Sequence, residues 1–218
     1  VGISHHTASV ETRERYVGGA AEQQLLATGI WKEALVLSTC NRVEIYGSSE
    51  RSVATAEVVP ALWQSNARVA DNDVFYRYDG ETCAQHLFRV AAGLDSMVIG
   101  ETEILGQVKK AYEAARAAGS AGPVLHRLFQ RAFRVAKQVR SNTDITRGAV
   151  SVGSVAVDLA VKIFGDLREC RVLVLGAGET SERTARALNS RGVTDIRVSN
   201  RSFERGRRAV RHATAPAA

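Results

Sequence analysis

The chain has 218 residues, room for one large domain or two modest ones at the usual ~100–200 residues each. Hydrophobic residues make up 45%, charged residues 24%, and prolines number only 3, a balance that excludes disordered and collagen-like classes. The net charge of +6 is unevenly spread: Arg127, Arg131, Arg134, Lys137 and Arg140 crowd one segment, and Arg201, Arg205, Arg207, Arg208 and Arg211 another. Such clusters are either solvated helix faces or phosphate-binding surfaces.

No stretch reaches the ~18 consecutive apolar residues of a membrane span, and no basic segment leads into an apolar run at the start, so a cytoplasmic protein without a membrane partner is expected. Cys40, Cys83 and Cys170 are odd in number and far apart, with no C-x-x-C pair, which favours a reducing compartment.

In chain order, Val1-Gly2-Ile3 has the character of a strand interior, and further residues are expected before it. Thr12 to Ala27 is mixed and reads as a helix ending near Gly29. The apolar run Ala34 to Leu37 and the alternating Val43 to Tyr46 predict two strands, which places Ser38-Thr39-Cys40-Asn41-Arg42 on the turn between them. From Thr82 the period becomes helical: Cys83 to Ala91 stops at Gly93, and a second helix starts near Glu101 with Ile104, Val108, Ala111 and Ala115 on its apolar face. Val124 to Val139 predicts a third, with Leu128, Ala132, Val135 and Val139 inward, and Gly148 to Phe164 a fourth. Composition then shifts, and a domain boundary is expected near Asp166 to Cys170. Arg171 to Leu175 reads as a continuous apolar, buried strand, followed by a glycine loop, a helix to about Arg191 and a strand from Asp195 to Ser199. That order implies a parallel sheet, and the Ala- and Pro-containing tail Ala213 to Ala218 reads as linker.

The loop Gly176-Ala177-Gly178-Glu179-Thr180-Ser181 follows a strand and opens a helix. In that context Gly176 permits a tight turn, and Gly178 allows backbone to approach a pyrophosphate resting on the helix N-terminus. Ser181 stands where a third glycine is usual and sets helix and strand slightly farther apart. A plain βα turn without ligand is the alternative. After the second strand, Asn200-Arg201-Ser202 offers a cation and polar donors rather than the carboxylate of an NAD site, so NADPH is favoured unless Arg201 is simply a surface arginine.

Cys40 on a turn beside Arg42 suits covalent acyl chemistry, since a neighbouring cation raises the thiolate fraction; the alternative is an inert packing thiol, the role read for Cys83 and Cys170. His86 is either a packing residue or a proton carrier. Cys83 with His86 lacks a second ligand pair, and His5 and His6, adjacent on a strand, would face opposite ways, so no metal site is expected.

Taken together, the segments Val1 to Ala8, Leu37 to Tyr46, His86 to Ser96, Gly100 to Lys109 and Gly148 to Val152, with the dinucleotide loop after them, closely resemble glutamyl-tRNA reductase in the same order. The resemblance covers nearly the whole chain. It implies an α/β fold: an N-terminal catalytic domain with several helices over 1–166, then a partial Rossmann-type NADP-binding domain over 167–218, the family's C-terminal dimerisation domain being absent. It also implies an oxidoreductase that reduces glutamyl-tRNA(Glu) with NADPH to glutamate-1-semialdehyde, the first step of tetrapyrrole (porphyrin, haem) biosynthesis from glutamate. In that scheme Cys40 attacks the aminoacyl ester and holds a thioester, and His86 handles protons. Arg42 holds the substrate's side-chain carboxylate, and Thr39, Asn41, Ser96, Glu101, Thr102, Glu103 and Gln107 match further substrate positions. Gly176 to Ser181 with Asn200, Arg201 and Ser202 would hold the cofactor. Implied partners are a second copy of the full-length chain and the aminomutase that takes the product, in the cytoplasm, or in the plastid stroma for a plant protein. Ser9 and Thr102 depart from prolines common in the family. Two rivals stand beside this reading: a shikimate-dehydrogenase-like NADP oxidoreductase, suggested by the C-terminal segment alone, and a non-catalytic tRNA-binding paralogue. Arg127, Arg131 and Arg134 are the candidate tRNA contacts.

Overall fold

The computed structural model describes residues 1–18, 22–62, 73–146, 151–202, 204 and 207. Gly148 to Val150, Arg205, Arg208, Arg211 and the tail from Ala213 lie outside the described residues. The chain divides into two compact units, Val1–Ile145 and Thr146–Ala218. The composition shift read near Asp166 falls inside the second unit, because the helix preceding it packs on a helix that follows it.

The first unit is built on a three-stranded antiparallel sheet: β1 (Gly2–Ser4), β2 (Glu33–Ser38) and β3 (Arg42–Ser48), in the order β1-β3-β2. Leu35 pairs with Tyr46 and Leu37 with Glu44 across the hairpin, while Ser4 pairs with Arg42. Side chains alternate between the faces of a strand, and here both faces are covered. Ala34, Val43 and Ile45 join Ile3, Tyr16, Leu25, Val58, Val59 and Phe75 in one core. Leu35, Leu37 and Tyr46 join Leu87, Val90, Ile104, Val108, Leu125 and Phe129 in another.

The predicted helix from Thr12 to Ala27 is two short ones, α1 (Val10–Glu14) and α2 (Glu22–Ala27), and Gly18 between them has φ +75°. Ser9 caps α1 by accepting from Thr12 N at 3.3 Å. After α3 (Thr55–Leu62), the second core is closed by α4 (Gly80–Ala92), α5 (Glu103–Ala117) and α6 (Pro123–Asn142). The left-handed Gly93 ends α4: its N–H donates to the Val90 carbonyl and that of Leu94 to the Arg89 carbonyl, satisfying two of the carbonyls the helix end exposes. Pro123 opens α6, and the buried Glu33 of β2 accepts from the N–H groups of Val124 (3.0 Å) and Leu125 (2.7 Å), an anion placed where the helix dipole favours one. The inward face of α6 is Leu125, Phe129, Ala132 and Ala136. Leu128, Val135 and Val139, expected inward, sit at its half-buried flanks, and on α5 it is Tyr112 rather than Ala111 that is fully buried.

The second unit contains α7 (Val152–Phe164), β4 (Arg171–Leu175), α8 (Glu179–Ser190) and β5 (Asp195–Ser199). β4 and β5 pair in parallel, Val172 with Ile196 and Val174 with Val198. Ser151 caps α7 through Ser154 N at 3.1 Å. Val157, Leu167, Leu188 and Val193 form the core. β4 is not buried on both faces as its apolar run suggests: Leu173 and Leu175 are exposed, since only β5 and one layer of helix meet it among the described residues.

Candidate functional site

The turn from β2 to β3 is built by Thr39. Its N–H donates to Arg42 O at 2.9 Å, and its hydroxyl accepts from the N–H groups of Asn41 and Arg42, each at 3.2 Å. A turn whose backbone is satisfied this way holds its tip outward, and the residue at the tip is Cys40, whose thiol is exposed. The end of β1 is tied to the same turn by His5 N–H donating to Asn41 O at 2.9 Å. Beside the turn lies an open cleft of about 930 Å³ lined by His5, Ala8, Ser9, Val10, Arg13, Glu14, Val17, Ser38 to Asn41 and Met97.

The thiol is pushed up rather than down. Partial burial opposes the thiolate, and the Glu101 and Glu103 carboxylates add to this, against a backbone hydrogen bond to the sulfur and a weaker pull from Arg13. The expected depression by Arg42 is absent because that guanidinium is spent elsewhere. Arg42 is 1% exposed; Nη1 donates to Glu44 (2.9 Å) and Asp95 (3.0 Å), and Nη2 donates to the Asp95 carbonyl.

Arg42, Glu44 and Tyr46 fall on one face of β3 by the two-residue period, and α6, His86 of α4 and Tyr76 meet that face. Glu44 is the hub: it accepts from Arg42, from the Tyr46 hydroxyl at 2.6 Å and from the Tyr76 hydroxyl, and its Oε1 lies 2.7 Å from His86 Nε2. Burial works against the Glu44 carboxylate, but the His86 hydrogen bond and the Arg42 charge outweigh it and hold the carboxyl below the usual range. Both tyrosines are pushed up, first by burial and then by Glu44, so they act as donors. Gly2 leaves room for this cluster: a Cβ there would come 2.7 Å from Glu44 Cγ and 3.0 Å from the Tyr76 ring. On the other side, His6 Nε2 lies 3.6 Å from Asp95.

The sequence-derived residues thus separate into two groups. Cys40, Thr39 and Asn41 line the cleft, with Glu101 and Glu103 close enough to act on the thiol. Arg42 and His86 belong to the buried network at the root of the turn, and neither lines the cleft among the described residues. Ser96 is buried in the loop between α4 and α5, Thr102 is the exposed N-cap of α5, and Gln107 is half-buried on its second turn. Arg140, read as one of an outward basic cluster, is half-buried and donates to the carbonyls of Glu101 (2.9 Å) and Thr102 (3.5 Å), fastening this loop to α6. Cys83 packs against the helical core, and its thiol is pushed up by burial.

Glu44, Asp95, Tyr76 and His5 were missed by motif reading. Of these, Glu44 carried one usable signal: a strand that alternates Arg42-x-Glu44-x-Tyr46 with Val and Ile must put its polar face either in water or in a paired network. His5 and His6 do not face opposite ways. Both lie in the turn after β1, with ring centroids 3.9 Å apart. Among the described residues no three His, Cys, Asp or Glu side chains gather as a metal site, and no helix is long and apolar enough to cross a membrane.

In the second unit Gly176 has φ +101°, a conformation that favours glycine, and its N–H donates to Ser199 O at 2.7 Å. Ser181 Oγ lies 3.7 Å from the place a Cβ on Gly176 would take. A Cβ on Gly178 would meet nothing within 4 Å, and no side chain caps the N-terminus of α8. Thr180, Arg201 and Ser202 are exposed, Ala177 is half-buried, Asn200 Nδ2 donates to Ser202 O at 2.9 Å, and Arg201 forms no ion pair with a described residue. Glu179 is the first residue of α8. N–H groups at a helix start, an approachable glycine and a cation that pairs with no described residue fit the phosphates of a dinucleotide.

Comparison with known proteins gives two family matches: "Glutamyl-tRNAGlu reductase, N-terminal domain" over residues 1–143 and "Shikimate / quinate 5-dehydrogenase" over residues 158–216. A glutamyl-tRNA reductase of Akkermansia muciniphila is 46% identical over 94% of this chain and 62% of its own length. One of Idiomarina loihiensis is 44% identical over 94% of this chain and 50% of its own. Among solved structures, a glutamyl-tRNA reductase from Methanopyrus kandleri matches with a TM-score of 0.62 and 37% identity, over 97% of this chain and 51% of that one. The chain therefore spans about half to three-fifths of the relatives it matches.

Proposed function

The chain belongs to the glutamyl-tRNA reductase family, and from that premise we propose that it carries the acyl-transfer centre of an enzyme reducing glutamyl-tRNA(Glu) to glutamate-1-semialdehyde, the first step of tetrapyrrole synthesis from glutamate. The observation that carries this reading is Cys40, exposed at the tip of a hydrogen-bonded turn and opening on a large cleft. Its sulfur attacks the ester carbonyl, the bond to the tRNA 3′ oxygen breaks, and glutamate is left as a thioester. Arg42 takes the substrate's side-chain carboxylate in exchange for the Asp95 carboxylate now on its Nη1, and Glu44 orients that guanidinium from below. His86, held on Glu44, handles a proton in the later steps. Thr39 and Asn41 shape the pocket, and Ser96, Glu101, Thr102, Glu103 and Gln107 supply further substrate contacts.

The loop Gly176 to Ser181 and Asn200 to Ser202 would hold NADPH, with Arg201 on the 2′-phosphate; when bound, that cofactor supplies the hydride that reduces the thioester. The full-length enzyme works as a homodimer and hands its product to an aminomutase. A cytoplasmic setting is supported by three cysteines that are all unpaired.

The test is incubation with glutamyl-tRNA in the absence of NADPH, followed by intact-mass measurement. A glutamyl adduct on wild type that hydroxylamine removes, and its loss in Cys40→Ser, is the expected result. No adduct on wild type would sink the reading and favour a tRNA-binding paralogue without chemistry.

The tRNA surface we propose is the outer face of α6. Arg127, Arg131, Arg134 and Lys137 are exposed and recur at helical spacing, and the helix contains no carboxylate. Arg134 and Lys137 continue into a groove of about 360 Å³ shared with Lys109 and Phe133 of α5 and α6. Reversing Arg127, Arg131 and Arg134 to Glu is expected to weaken tRNA binding. The log–log salt slope should flatten by roughly 0.7–0.9 for each phosphate the surface no longer neutralises, measured by filter binding across a salt series. An unchanged slope would move the tRNA elsewhere.

A further inference from the structure

Resting on the reading of Cys40 as nucleophile, we propose that His5 is the base that takes the proton from the Cys40 thiol during acyl transfer and returns it to the departing tRNA 3′ oxygen. Three observations place it there. His5 and Cys40 line the same cleft, and the backbone of His5 is bonded to Asn41, the residue next to Cys40. The His5 Nδ1 is buried and makes no hydrogen bond with a described residue, so the imidazole is not consumed by packing as His86 is by Glu44.

The protonation states agree with that role. Burial, then the charges of His6 and Arg42 and a weaker one from Arg13, push His5 down against the opposing pull of Asp95, leaving a neutral imidazole at physiological pH. Cys40, facing Glu101, Glu103 and Arg13, is held as the thiol. A thiol that does not ionise by itself, sharing a cleft with a neutral imidazole, is the pair that general-base catalysis needs. The step balances: the S–H and ester C–O bonds break, the S–C bond forms, and the proton passes through His5 to the 3′ oxygen. No oxidant or reductant takes part.

Single-turnover acylation of Cys40 by glutamyl-tRNA, without NADPH and read by intact mass from about pH 5 to 9, tests the proposal. Wild type should lose rate on the acid side as His5 takes a proton. His5→Asn should acylate roughly 10²–10⁴-fold more slowly and lose that acid limb, while iodoacetamide still labels one mole of Cys40 per mole of protein. Added imidazole should restore part of the rate in His5→Gly, which a purely structural histidine would not allow. A His5→Asn rate equal to wild type, an unchanged pH profile, or absence of imidazole rescue would overturn the role of His5 while leaving the adduct on Cys40 intact. Transfer of the acid limb to His86→Asn would overturn it in favour of His86. Failure of wild type to form any adduct would instead overturn the reading of Cys40 on which this rests, and the role of His5 with it.

Discussion

Glu44→Ala is expected to destabilise the N-terminal unit by about 3 kcal/mol, the lower end of the cost of removing one partner from a buried ion pair, because Arg42 keeps its second carboxylate, Asp95. The substitution strips Arg42 of the ligand that fixes Nη1 from within the sheet, leaves two tyrosine hydroxyls in the core without an acceptor, and frees the His86 ring. Glu44→Gln keeps one acceptor oxygen and the shape, and should lose less. Urea unfolding followed by tryptophan fluorescence checks this on the right unit, because both tryptophans, Trp31 and Trp63, lie within residues 1–145.

The same carboxylate predicts a pH dependence. Its folded pKa is depressed, so it contributes stability above the unfolded carboxyl value of about 4.3, and that contribution is lost as pH falls through the folded value. Wild-type stability should therefore decline more steeply below about pH 4.3 than that of Glu44→Gln, which lacks the titration. Equal slopes would show that another carboxylate governs acid unfolding.

This network also marks the limit of what the chain reveals before it folds. The hairpin, its Cys40 turn and the helices from Gly80 to Asn142 are legible, because apolar runs, alternation and the 3.6-residue period are local signals. Thr12 to Ala27 defeats the same approach: it has no clean period, and the positive φ of Gly18 breaks it. On α6 the apolar residues form a broad band rather than a line, so choosing Leu128 over Phe129 as the inward row is a shift of one residue that only the packing of β2, β3 and α4 decides. Arg42 is the clearest case. Its motif marks it as important, but its partner Asp95 is 53 residues away and the bond that joins His86 to Glu44 spans 42. Pairing at that separation leaves no local trace, so a residue read as a cation beside the thiol is in fact neutralised at the base of the turn. His5 was hidden for the same reason: its value lies in a backbone bond to Asn41, not in its neighbour His6.

The α4–α5 loop is where that long-range pairing depends on single backbone positions, and Gly100→Ala is expected to show it. Gly93 and Gly100 bracket the loop with φ of +82° and +83°, and Gly100 N–H donates to Gly93 O at 2.9 Å, closing it. Between them the chain presents Asp95 to Arg42, buries Ser96 and sends Met97 into the cleft. A methyl on Gly100 would overlap the carbonyl of Ile145, which is backbone and has no rotamer to yield. The left-handed conformation costs an alanine roughly 1–2 kcal/mol and overpacking another 1–3, so about 3 kcal/mol of stability should be lost. The loop can relieve the clash only by moving, and any movement lengthens the Asp95 contacts to Arg42 and shifts the residues flanking Glu101. Iodoacetamide labelling of Cys40 as a function of pH should therefore change in Gly100→Ala, since Glu101 is the leading charge that raises the thiol. Displacing that carboxylate lowers the thiol pKa and speeds labelling near neutrality. A variant that loses stability but labels at the wild-type rate would show that the loop's hold on the cleft does not run through Gly100.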